Sequence, residues 1–133
     1  MAQTIQWSMT AQVPNGPRIV TSQVVEIEAY DSIKLNVDGN VTDIEVELQP
    51  GDAGQVKVLI ITSDQYSDNL SYKVNAAGNP EIIIDQPQAL MGEGAVGLLD
   101  PAPASLFFTN TAAADETAAI EILVGRNATI PPP

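Results

Sequence analysis

Histidine and cysteine are both absent from the 133 residues. Without histidine the chain lacks the commonest general base and the commonest transition-metal ligand. Without cysteine it has no disulfide, no thiolate nucleophile and no Cys-based metal site. Together these absences exclude Ser-His-Asp and Cys-His catalysis and zinc held by His or Cys. Basic residues are scarce too: five against 17 acidic ones, a formal charge of −12. Such a surface repels phosphate backbones and anionic bilayers, so neither nucleic acid nor a membrane is an expected partner. Long hydrophobic runs are missing as well, and no stretch approaches the ~18 apolar residues of a membrane span. The start, Met1-Ala2-Gln3-Thr4-Ile5-Gln6-Trp7, has no basic segment leading into an apolar run. It does not read as a signal peptide, which makes the default expectation a soluble protein, cytoplasmic or particle-associated. Aromatics make up only 5%. The core is therefore expected to be aliphatic.

What the chain does have is alternation. Hydrophobic residues amount to 44% and charged ones to 17%, a globular composition at a length that buries a core without staples. Ile5, Trp7, Met9, Ala11 and Val13 alternate with polar residues, which predicts a half-buried strand with Trp7 against the core. Pro14-Asn15-Gly16-Pro17 ends it as a turn. A second run, residues 19–30, places Val25 and Ile27 opposite Glu26 and Glu28 and breaks at Asp31-Ser32. Ile33, Leu35 and Val37 then lead into Asp38-Gly39, followed by Ile44, Val46 and Leu48. Asp-Gly between alternating runs predicts a two-residue hairpin. Pro50-Gly51 marks another turn. In residues 55–62 both parities are apolar, the mark of a strand covered on both faces or lying at a subunit interface. Short strands are expected around Leu70 to Val74 and Ile82 to Ile84. Residues 85–104, rich in Gly, Leu and Pro, read as an irregular, partly buried stretch. A closing hairpin is expected from Leu106-Phe107-Phe108 to Ile120, Ile122 and Val124, with residues 112–119 as its loop in preference to the start of a helix, which their Ala and Glu would favour. The sum is an all-β, antiparallel sandwich of about eight or nine strands, jelly-roll-like or immunoglobulin-like, with little or no helix. One domain is expected over residues 1–127, followed by an extended Pro-rich tail over 128–133.

Several motifs carry possible chemistry. Gly92-Glu93-Gly94-Ala95-Val96-Gly97 matches the dinucleotide pattern G-x-G-x-x-G. Pro101 and Pro103 forbid the long helix such a site needs, so the match reads as a coincidence and no cofactor is expected. Calcium needs oxygen ligands alone, and Asp64 and Asp68 are the best, though weak, candidates, ahead of Asp38 and Asn40. Turn chemistry explains all four equally well. Glu26, Glu28, Glu45 and Glu47 would make one acidic sheet face if their strands were neighbours, but with few aromatics and no Asp-Thr/Ser-Gly signature a solvated face is the better reading. Asn40, Asn69 and Asn127 head glycosylation sequons that read as chance matches. The five cations form no patch, and Lys57 inside an apolar run reads as an edge or snorkelling lysine.

No catalytic residue is legible. The expected role is a non-enzymatic structural or assembly subunit that forms a homo-oligomer, such as an accessory subunit of a phage-type or other particle. The apolar segment with Leu90, Met91, Val96, Leu98 and Leu99 is the expected interface or functional loop. The alternative is a monomeric module that binds a carbohydrate, a Ca²⁺-dependent ligand or a basic protein through residues 64–69 and 90–99, with Trp7 or Tyr66 as the stacking surface. A carboxylate-only hydrolase comes last.

Overall fold

The alternating runs form two kinds of β structure. In a computed structural model that describes residues 3–48, 56–99 and 104–127, the first two strands make a separate antiparallel ribbon, β1 (Gln3–Gln12) with β2 (Arg18–Ile27). Pro14 and Asn15 turn its tip. Pro14 supplies a pre-set φ, Asn15 takes the left-handed conformation (φ 60°), and Gly16 N donates to Val13 O at 2.7 Å.

The remaining eight strands are β3 (Ala29–Val37), β4 (Val41–Glu47), β5 (Val56–Ser63), β6 (Leu70–Val74), β7 (Ile82–Ile83), β8 (Gln88–Met91), β9 (Ser105–Asn110) and β10 (Ala118–Arg126). They form two four-stranded antiparallel sheets, β3-β10-β5-β8 and β4-β9-β6-β7. First pairs with last, second with second-last, and so inward to β6 with β7. This is a jelly-roll order. The all-β sandwich expected from the sequence is thus present, with ten strands including the ribbon and a single helical turn, α1 (Glu93–Val96).

The inner faces follow the period of two. Ile33, Leu35, Val37, Ile120, Ile122, Val124, Leu59 and Ile61 from one sheet meet Leu106, Phe108, Leu70, Tyr72 and Val74 from the other. Tyr72 and Phe108, both fully buried, tilt against each other with ring centroids 5.8 Å apart. Tyr72 Oη donates to Gln88 Oε1 at 2.6 Å, and Gln88 Nε2 donates to Ile83 O, so one polar chain links the two sheets. Burial pushes the Tyr72 hydroxyl pKa up to about 12. Asn110 locks the other end. Its Nδ2 donates to Val37 O and Glu116 O, and its Oδ1 accepts from Ala112 N.

Five local expectations are corrected. Asp38-Gly39 does not close a hairpin, because β3 and β4 lie in opposite sheets. The left-handed residue is Asn40 (φ 62°), and Gly39 is needed because a Cβ there would overlap the Ala113 carbonyl. The last two strands likewise cross between sheets instead of pairing with each other. Asp31-Ser32 lies inside β3, where the edge position lets the Asp31 carboxylate accept from Arg126 at 3.3 Å; the break comes at Glu28. Residues 85–99 hold the edge strand β8 and α1 instead of an irregular run. Trp7 sits on the ribbon, outside the core. The Pro50-Gly51 turn and the 128–133 tail lie outside the described residues.

Candidate functional site

The acidic candidates do not converge. Asp64 serves the backbone: its Oδ1 accepts from Ala119 N at 2.8 Å and its own N–H donates to Ala119 O. Asp38 accepts from Thr117 Oγ1, and Asp68 is exposed. Among the described residues, no three His, Cys, Asp or Glu side chains gather closely enough to hold a metal ion. Glu26 lies on the ribbon and Glu28 just after it, while Glu45 and Glu47 belong to β4. The four do not share a sheet. Lys57 Nζ reaches back 3.5 Å to Glu26 O at the foot of the ribbon.

The glycine motif follows a strand and opens a helix, but β8 is an antiparallel edge strand and α1 is one turn long. Gly92 takes φ 93°, which aims the chain out of the edge. The apolar residues of this segment separate. Val96 is buried in the core, and Leu90 and Leu99 pack against it. Met91 is half-buried, and Leu98 alone of the five is largely bare, at 82% exposure. The five residues therefore do not lie together on one exposed patch. Tyr66 also packs against the core, its Oη accepting from Ser63 N. Among the described residues no helix is long and apolar enough to cross a membrane.

The unsatisfied surface is on the ribbon. Directly paired residues share a face, so Ile5/Val25, Trp7/Gln23, Met9/Thr21 and Ala11/Ile19 line one side. The other side carries Gln6/Val24, Ser8/Ser22, Thr10/Val20 and Gln12/Arg18. At its root the first side covers the outer face of the β3-β10-β5-β8 sheet. A Cβ on Gly125 would come within 2.8 Å of Ile5 Cδ1, 3.0 Å of Ile27 Cγ2 and 3.3 Å of Val58 Cβ. Gly125 is therefore the slot that admits the root, and Glu28 N–H ties it down by donating to Arg126 O at 3.0 Å. Beyond the root the ribbon is bare: Met9 is 48% exposed, Val13 58%, Ile19 61%, Val20 59% and Val24 55%. Strands of 10 residues make it ~33 Å long. Trp7 Nε1 is buried without a hydrogen-bond partner among the described residues.

Compared with known proteins, the chain matches no family model, no curated protein and no solved structure. The surface itself must carry the reading. Its grooves are shallow. One runs along the ribbon at Gln6, Trp7, Ser8 and Gln23, and another lies on the outer sheet face at Lys34, Thr62, Asp64 and Glu121.

One signal for the ribbon was in the sequence. Arg18 is the sole charged residue among the first 25, so all 17 acids and the other four cations, a net charge of −13, lie from Glu26 on. This segregation marks the ribbon as chemically unlike the rest. The alternation of residues 5–13 alone does not, because a strand in a sandwich alternates in the same way.

Proposed function

We propose that this protein is a non-enzymatic structural subunit that self-associates through its projecting ribbon. The observation that carries the reading is the set of bare apolar side chains on the ribbon, Met9 and Ile19 on one side and Val20 and Val24 on the other. Of the eight large hydrophobic side chains exposed among the described residues, five lie on the ribbon or its turn. An apolar surface concentrated in this way on a projecting element marks an interaction site. Charge supports association by this element in particular. Two bodies of net charge −13 repel each other, whereas residues 1–25 bring no acid to the contact. Arrangement also speaks for assembly over chemistry, since the carboxylates are scattered, with several bound to backbone or cations. Jelly rolls host unrelated functions, so it is this surface and not the fold that points to assembly.

Light scattering of the full chain across a wide concentration range tests the proposal. The expected mass is a multiple of 14.0 kDa. A monomer at every concentration would remove it, and a glycan or cation hit on that monomer would favour the binding-module alternative.

A further inference from the structure

The outer face of the β3-β10-β5-β8 sheet is built in rows. Tyr30, Gly125, Val58 and Met91 form the first, and Ser32, Leu123, Ile60 and Ala89 the second. Lys34, Glu121 and Thr62 follow as a polar third row, with Lys34 and Glu121 paired at 3.4 Å. The ribbon root covers the middle of the first row, where Val58 and Gly125 are buried beneath Ile5 and Ile27. The second row is left half-open: Leu123 and Ile60 are partly exposed, Ala89 is exposed, and Tyr30 beside them is 54% exposed. This explains why residues 55–62 are apolar at both parities. One parity fills the core, Val58 lies under the ribbon root, and Ile60 still lacks a full cover.

Building on the self-association proposed above, we infer that the distal ribbon of one copy lays its Met9/Ala11/Ile19 face over the Leu123–Ile60–Tyr30 strip of a second copy. Three observations select a second copy as the occupant. The docking is continuous with one the chain already makes, since the same ribbon face covers the adjacent row of the same sheet face through Ile5 and Ile27. The two surfaces left over, distal ribbon and second row, are both apolar, so each chain carries both halves of the contact. The distal part of the ribbon, which carries no acid, meets a body of net charge −13 without like-charge repulsion, and Arg18 at its tip adds the complementary sign. Two such contacts, exchanged reciprocally, make a closed dimer; passed from copy to copy, they make a ring or a filament.

The absence of cysteine makes the test clean. Ala11→Cys and Ala89→Cys are conservative changes at exposed alanines, one on the ribbon and one on the second row. The two full-length variants are mixed, one carrying a mass tag, and treated with a short bis-maleimide. The expected product is the mixed dimer, and Ile19→Glu introduced into the Ala11→Cys chain abolishes it while weakening self-association by roughly tenfold or more. Cross-linking confined to Ala11→Cys with itself, or none at all in a sample that light scattering shows to be oligomeric, overturns the docking site and leaves self-association standing. A monomeric mass overturns both.

Discussion

The sandwich and the ribbon are built from the same alternating pattern and come to opposite ends. In the sandwich each apolar parity meets a facing sheet, and Leu106, Phe108, Ile122 and Val124 lose all contact with solvent. In the ribbon the apolar parity is buried at Ile27, half-buried at Ile5, Trp7 and Val25, and then bare at Met9 and Ile19. An isolated two-stranded ribbon is at best marginally stable in water. A ribbon with ten paired positions and a bare apolar side is therefore read as half of a contact. The difference between the regions lies in what covers the strands rather than in what the strands are.

The sharpest way to break this comparison is to cut both regions. Phe108→Ala empties the middle of the sandwich, and its expected cost in chemical denaturation is about 3–5 kcal/mol. Ile19→Ser, measured on the dissociated chain, is expected to stay within about 0.5 kcal/mol of the parent, as exposed positions do. Equal losses would mean that the ribbon is part of the folded core.

Alkaline pH sharpens the sandwich side. In the unfolded chain Tyr72 ionises near 10.0, but burial holds it protonated up to about 12. The raised value contributes stability that is fully present below pH 10 and lost as pH rises toward 12. The expected loss over that window is about 3 kcal/mol. Tyr72→Phe removes this slope while keeping the ring contact with Phe108, and a slope that persists unchanged in the variant would assign it to other groups.

The joint between the regions is Gly125. Gly125→Val pushes against Ile5, Ile27 and Val58, with an expected cost of about 1–3 kcal/mol from overpacking. Because it unseats the ribbon root, it is also expected to weaken self-association. Loss of stability with association intact would detach the ribbon root from assembly.

The smallest effect is spectroscopic. Trp7 is the single tryptophan and sits on the ribbon's docking side. Its emission is expected to shift to the red when the protein is diluted through dissociation, and Ile19→Glu should show that red-shifted spectrum at all concentrations. Emission that is independent of concentration in an associating sample would place the contact elsewhere.

The elements were largely legible in the sequence, and their partners were not. Period two identified the strands of the sandwich because each has one face on the core. It did not say which strands pair, since Asp38-Gly39 looks like a local hairpin whether or not the next strand stays in the same sheet. The crossing between sheets brings Gly39 under the Ala113 carbonyl, a contact between residues far apart in sequence. Trp7 is expected at the core from the alternation of residues 5–13, and alternation carries no label for a strand pair that forms a ribbon of its own. The apolar residues at 90–99 raise a related ambiguity. Leu90, Val96 and Leu99 are apolar because they close one end of this chain's own core.

The most direct test of the ribbon as an intermolecular element is sedimentation equilibrium of the full chain beside its Ile19→Glu variant at matched concentrations. The expected result is a parent mass at a multiple of 14.0 kDa and a variant close to the monomer. Identical masses for the two, whether both assembled or both monomeric, would contradict it.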